Sequence, residues 1–248
     1  SLYFSSSLHS FKKILRLKKS KKSFLLYLCF NYFPSDTSAY EDVFSLLPGE
    51  YIKIENNSSS VQRYGKFFAD EKTSYFQNSS KSSFKEILNN SISINLRSDV
   101  KLGLMLSSGL DSSILAKEIT KNTKDIKAYT VDFENKRENE SKLAKKFARE
   151  LGINHETLEI KKDDVPQYLN EILKYMDEPC ADTAIIPSYL ISKKAKSDGI
   201  KVLLSGAGGD EIFGGYGRHY LNFFTFFYWI FNFLKLKNHK LIQIFPYK

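Results

Sequence analysis

Two short stretches concentrate small residues, hydroxyls and acids. The first is Ser107-Ser108-Gly109-Leu110-Asp111-Ser112-Ser113; the second runs Ser205-Gly206-Ala207-Gly208-Gly209-Asp210-Glu211-Ile212-Phe213-Gly214-Gly215-Tyr216. Small residues let backbone N–H groups approach an anion, hydroxyls add donors, and a helix beginning at such a loop contributes the positive end of its dipole. The chemistry this suits is the holding of phosphate or pyrophosphate. Asp111 repels a bare phosphate but fits one bridged by Mg²⁺, which favours carboxylates together with phosphate oxygens. Asp210 is placed to share the same ion. The plainer alternatives are a strand-to-helix turn with Asp111 and Ser112 as caps, and a flexible turn carrying a solvated Asp-Glu pair. Neither stretch ends in Gly-Lys-Ser/Thr, so a Walker loop is excluded.

Each stretch follows an apolar run that reads as a strand: Leu102–Leu106 before the first, Lys201–Ser205 before the second. Ala128–Phe133 and His155–Ile160 add two more strands. Helices are expected over Ser112–Thr120, over Glu140–Leu151 with Gly152 as the stop, and over Pro187–Asp198, where Pro opens the first turn and Gly199 closes the last. Val165, Tyr168, Leu169, Ile172, Leu173 and Met176 follow helical spacing. Strands alternating with helices predict an α/β fold, a parallel sheet with helices on both faces. Ligands of such sheets sit at the carboxyl ends of the strands, where both stretches fall.

The pattern differs before residue 69. Ser1–Ser5 reads as a strand. Glu50–Glu55 alternates in period two, and Val61–Tyr64 follows a polar turn, which predicts a hairpin; Pro48-Gly49 marks a turn ahead of it. Residues 69–82 are polar and read as a linker, which divides the chain into 1–68 and 83–248. The run Leu221–Leu234 is shorter than a membrane span of ~20 residues, contains Asn222 and Asn232, and reads as a buried helix.

The net charge of +9 suits nucleic acid, an anionic surface or phosphorylated small molecules alike. The basic pairs at Lys18-Lys19, Lys21-Lys22 and Lys161-Lys162 read as solvated helix faces or loops, with a functional patch as the alternative. Cys29 and Cys180 stand far apart, with no ligand spacing for zinc, and suit a reducing compartment. Cys180 is expected to be buried. His155 reads as a structural or surface histidine, and Glu140 as either a neighbour of the nucleotide or a plain first-turn acid. The chain lacks an initial Met and a signal segment, and reads as a fragment of a longer protein.

The stretch Leu106–Ser113 resembles the PP-loop of N-type ATP pyrophosphatases, with Ser108 where the loop usually has Gly. Together with Asp177-Glu178-Pro179, Pro187 and Leu204–Tyr216 it resembles the synthetase domain of glutamine-hydrolysing asparagine synthetases. Upstream, Tyr32-Phe33-Pro34 and Leu46–Tyr51 resemble the end of that family's N-terminal glutaminase domain. The resemblance implies that residues 1–68 are the β-rich remnant of that domain and 83–248 an ATP-binding domain cut short at its C-terminus.

It further implies ATP and Mg²⁺ as cofactors and a cytoplasmic enzyme that amidates aspartate through an aspartyl-adenylate, with ammonia from glutamine. Met105, Leu106, Ser107, Ser108, Gly109, Asp111, Ser112, Ser113, Val131, Ser205 and Gly206 would bind the nucleotide. Asp111 and Asp210 would hold the metal and, with Glu211, serve catalysis; Glu211 and Tyr216 would meet the substrate. The expected partners are small molecules and a second copy of the chain, without nucleic acid or membrane. Two departures bear on this. Ala207 stands where family members often place an acid, which leaves the acceptor open to a glycan precursor or peptide carboxylate. The N-terminal Cys nucleophile of the glutaminase is absent, and neither Cys29 nor Cys180 replaces it. A tRNA-modifying PP-loop enzyme is the alternative from another class, which the positive charge would suit.

Overall fold

The structure, a computed structural model, describes residues 2–56, 58–64, 81–134 and 140–216. Its centre is a parallel sheet of four strands: β3 (Leu102–Met105), β4 (Lys127–Phe133), β5 (Asn154–Ile160) and β6 (Val202–Leu204). Their order is β5-β4-β3-β6. After β5 the chain returns past β3 to lay down β6 on its other side. The strand order therefore reverses between β3 and β6, the crevice where α/β sheets bind ligands.

Side-chain alternation along the strands feeds two cores. Leu104, Leu106 and Ala128 pack with Ile92 of α3 (Lys81–Asn95), Ala116 and Ile119 of α4 (Leu110–Ile119), and Ala144 and Ala148 of α5 (Glu140–Leu151). On the opposite face Met105, Tyr129, Val131 and Leu203 pack against Ile191 and Ala195 of α7 (Ile185–Ser197). Both faces are covered, as the continuous apolar runs of β3 and β4 require. A third cluster joins Ile160 to Ile172 of α6 (Val165–Ile172) and Ile186. At the end of the sheet away from the two loops, Asp198 accepts from Lys127 Nζ (2.7 Å), Lys194 Nζ (2.7 Å) and the phenol of Tyr129 (2.6 Å). This cluster locks the start of β4 to the end of α7.

The upstream part has the expected hairpin, β1 (Glu50–Glu55) with β2 (Ser58–Arg63) in register Glu55↔Ser58. Asn56 takes the left-handed conformation at its turn. Other expectations change here. Leu2–Ser5 form no strand, and two helices that were not foreseen follow, α1 (Leu8–Ile14) and α2 (Lys21–Phe30). Short apolar stretches cannot be assigned to strand or helix by periodicity alone, and Ser7 and Ser20 act as N-caps of the two helices. α3 extends from the foot of the proposed linker and was also not foreseen. Most of that linker and the Leu221–Leu234 run lie outside the described residues.

Asp177-Glu178, between α6 and α7, ties the upstream part to the sheet. Asp177 accepts from Ser7 Oγ (2.9 Å), the His9 backbone N–H (2.9 Å) and the His9 ring, and Glu178 accepts from the Ala39 N–H (2.5 Å). Cys180, expected in a core, is exposed in this same irregular stretch. No sheet or helix face covers it there. Among the described residues no helix is long and apolar enough to cross a membrane.

Candidate functional site

β3 ends at Met105, one further ladder bond runs from Leu106 N–H to Tyr129 O (2.9 Å), and the chain turns sharply into α4. The turn holds itself with hydroxyls. Ser112 Oγ accepts from Ser107 N–H (3.1 Å), and the carbonyls of Ser107 and Gly109 lie within 3.1 Å of it. Ser107 Oγ accepts from Gly109 N–H (3.1 Å), and Ser113 Oγ donates to Gly109 O (2.8 Å). Ser112 is thus a buried brace inside the loop. The N-cap is Gly109, with no side-chain cap, so neither Asp111 nor Ser112 caps the helix. The first N–H groups of α4 therefore have no side-chain cap, the kind of helix start that suits an anion.

The loop after β6 fits against this turn through its glycines. A Cβ on Gly206 would lie 2.9 Å from Ser112 N and 3.1 Å from both the carbonyl carbon and the Cβ of Asp111. A Cβ on Gly209 would collide with the Asp111 carboxylate. Because its neighbours are mainly backbone, any side chain at Gly206 would wedge the two loops apart, whereas one at Gly209 would displace the Asp111 carboxylate. Gly208, with φ of 98°, makes the turn into the short helix α8 (Gly209–Phe213), whose first turn carries Asp210 and Glu211. Gly215 closes over Asp210, where a Cβ would strike its carboxylate.

The two loops share a cavity of about 780 Å³. Met105, Leu106, Ser107, Gly109, Asp111 and Ser112 border it from the first strand and loop; Val131, Ser205, Gly206 and Asp210 border it from β4 and the second loop. Ser108 and Ser113 do not line it. Nor do Glu211 and Tyr216, which face each other, the Tyr216 phenol donating to Glu211 Oε1 at 2.5 Å. Glu140 lines the cavity from the first turn of α5. Phe133, Pro187 and Ile191 supply an apolar wall opposite the loops. Sequence reasoning did not single out Thr130, Gly209 or Gly215 as site residues. The signal for Thr130 was a hydroxyl inside the apolar run of β4.

The two carboxylates reach the cavity from different elements, Asp111 on α4 and Asp210 on α8. Among the described residues no three His, Cys, Asp or Glu side chains gather to hold a metal. Two carboxylates form an incomplete shell for a hard cation. That fits Mg²⁺ bound jointly with phosphate oxygens rather than in an all-protein cage. His155, half-buried on β5, has its Nε2 2.8 Å from Thr130 Oγ1. Burial pushes its imidazole below the ordinary histidine range, and Lys145 adds repulsion. It lies behind the cavity wall, as a structural histidine would.

The sequence has relatives. A family model described as asparagine synthase matches residues 83–240. The chain belongs to the asparagine synthase family. Similar members include a putative asparagine synthetase (glutamine-hydrolyzing) of Mycobacterium tuberculosis, 29% identical over 194 residues that cover 77% of this chain and 30% of that protein. Asparagine synthetase (glutamine-hydrolyzing) 1 of Bacillus subtilis is 36% identical over 132 residues, 53% of this chain and 21% of that one. A putative asparagine synthetase (glutamine-hydrolyzing) 2 of Methanocaldococcus jannaschii is 29% identical over 224 residues, 87% and 43% respectively. The chain spans less than half the length of these curated family members. Among solved structures it is similar to an NH3-dependent NAD synthetase from Campylobacter jejuni, at a TM-score of 0.39 and 16% identity over 55% of this chain and 60% of that one.

Proposed function

We propose that the cavity between the two loops binds ATP and that the protein uses it to activate a carboxylate for amidation, with aspartate as the acceptor. The observation that carries this reading is the interlock of Gly206 and Gly209 with Asp111–Ser112. It brings an uncapped helix start and two carboxylates from separate elements to one cavity whose opposite wall is apolar. An apolar wall suits a purine, and the loop suits the phosphates.

In this reading the base packs near Met105 and Val131, with Ser205 and Gly206 beside the ribose. The N–H groups at the start of α4 and the Ser107 hydroxyl meet the pyrophosphate, with Ser108 and Ser113 at its outer edge. Asp111 and Asp210 would hold Mg²⁺ together with phosphate oxygens, and the ion would neutralise charge on the departing pyrophosphate. The acceptor carboxylate attacks the α-phosphate, pyrophosphate leaves, and ammonia displaces AMP from the acyl-adenylate. Donors fixed before the reaction stabilise that departure at no reorganisation cost. Glu211 and Tyr216, hydrogen-bonded to each other beside the cavity, are the substrate-side pair. Residues 1–68 are the end of a glutaminase-type domain that supplies ammonia, and Asp177-Glu178 join it to the synthetase sheet.

The test is pyrophosphate release by the full-length protein with Mg·ATP while aspartate, other carboxylates, glutamine and tRNA are varied. Release that depends on aspartate and is matched by asparagine is expected. Release driven by tRNA and indifferent to aspartate would overturn the reading. Ala207 bears on the acceptor: it borders the cavity beside Gly206 and cannot transfer a proton. A larger carboxylate preferred over aspartate would point to the glycan or peptide reading.

A further inference from the structure

The peptide group that leads into the anion loop is gripped from both sides by hydroxyls. Its carbonyl, on Leu106, accepts from Thr130 Oγ1 at 2.6 Å, and its N–H, on Ser107, donates to Ser112 Oγ at 3.1 Å. Leu106, Thr130 and Ser112 are 3%, 4% and 7% exposed, so the carbonyl and both hydroxyl partners are largely shielded from water, while Ser107 itself is exposed. The β3–β4 ladder ends with Leu106 N–H on Tyr129 O. Beyond that point the Leu106 carbonyl has the Thr130 hydroxyl in place of a strand N–H. A buried carbonyl left without a donor is costly.

Thr130 has a single hydroxyl proton, and the bond to Leu106 uses it. His155 Nε2, 2.8 Å from the same oxygen, must then be the donor. That fixes His155 as the Nε2–H tautomer. The chain of bonds runs from β5 through β4 to the end of β3: His155 to Thr130 to Leu106, and across the peptide to Ser112 on α4. Thr130 and Ser107 both border the cavity, so the chain forms part of its wall.

We infer that His155 and Thr130 are positioning residues for the phosphate end of the nucleotide, because together they set the orientation of the Leu106–Ser107 peptide from which the anion loop springs. Neither lies in the two loops, and neither needs to touch the ligand's reacting atoms. The inference rests on the nucleotide reading given above. It extends that reading to a second layer of residues on strands that the glycine-rich motifs do not reach. His155 held below its ordinary range by burial is consistent with a neutral, fixed tautomer.

The experiment compares Thr130→Val with Thr130→Ser in the full-length protein, by steady-state ATP-dependent pyrophosphate release. It adds ¹⁵N shifts of the His155 ring in the wild type. Valine keeps the shape and removes the hydroxyl; serine keeps the hydroxyl. Thr130→Val is expected to raise KM for ATP by about tenfold, the scale of one buried hydrogen bond, with kcat little changed and KM for the acceptor unmoved. Thr130→Ser is expected to stay within about threefold of wild type, and the ¹⁵N shifts to report a protonated Nε2. A role in stability alone would lower the active fraction and leave KM for ATP in place. Unchanged KM in Thr130→Val, equal loss in both variants, or a protonated Nδ1 with bare Nε2 would overturn the inference. Should Thr130→Val not fold, His155→Gln, which keeps an N–H donor, against His155→Leu makes the same comparison. If the wild type cleaves no ATP, the nucleotide reading fails, while the ring tautomer still judges the brace.

Discussion

Replacing Gly206 with Ala tests whether the two loops act as one site. The added Cβ would sit 2.9 Å from Ser112 N and 3.1 Å from two atoms of Asp111. Two of those three atoms are backbone, so no rotamer change relieves them. Ordinary contact lies near ~3.5–4.0 Å, and the loops must part by roughly 0.5–1 Å. Overpacking of this kind costs about 1–3 kcal/mol. In a domain of this size each kcal/mol moves the midpoint by about 2–4 °C, so a fall of roughly 2–12 °C is expected. Activity should suffer more, because a displacement near 1 Å costs about 100-fold where reacting groups must align. Gly109→Ala is the control. Its Cβ would meet only the Ser107 hydroxyl at 3.1 Å, and φ of −70° suits any residue, so its stability should stay within about 0.5 kcal/mol of wild type. Thermal unfolding and ATP-dependent pyrophosphate release on both variants decide the matter. Wild-type midpoint and turnover in Gly206→Ala would refute the interlock, as would an equal loss of stability in Gly109→Ala.

Other consequences follow from the same geometry. Asp111→Asn should keep the fold, checked by circular dichroism, and lose turnover by about 100-fold or more; normal turnover would remove the proposed metal role. Glu178→Gln weakens the acceptor facing Ala39 N–H, and trypsin should cut at Lys18–Lys22 several-fold faster, with an unchanged rate arguing against the tie. In Asp198, hydrogen bonds from Lys127, Lys194 and Tyr129 hold the carboxyl well below the usual carboxylate range. A depressed folded-state pKa gives stability that is full above the unfolded value of ~3.9 and lost as pH falls through the folded value. Lys127 is raised by its bonds to Asp198 and Glu156, so its share is full below ~10.4 and lost at higher pH. Asp198→Asn should therefore cost about 1–2 kcal/mol near neutral pH, and the gap to wild type in thermal unfolding should narrow below about pH 4.

The sheet was legible because β3, β4 and β6 carry apolar or β-branched runs, because β5 sets Thr157, Leu158 and Ile160 among polar residues directly after the Gly152 stop, and because α5 follows its apolar face over the whole of Glu140–Leu151. The two loops were legible because glycine, serine and aspartate at strand ends have few other uses. Residues 8–14 and 21–30 were not, because their helices bury almost nothing that would impose a period: α1 has no buried residue and α2 only Ser23. Cys180 was misjudged because residue type predicts burial only inside an element, and its segment is irregular. Thr130 and His155 escaped as partners because they lie 25 positions apart on adjacent strands, and a hydrogen bond across a sheet leaves no local pattern.

The central claim is that the cavity cleaves ATP between the α- and β-phosphates to activate a carboxylate. The most direct measurement is ³¹P NMR of the products when the full-length protein turns over ATP with Mg²⁺, ammonia and aspartate. AMP and pyrophosphate in equal amounts, matched by asparagine, are predicted. ADP and inorganic phosphate, or AMP formed without any amide, would contradict the account.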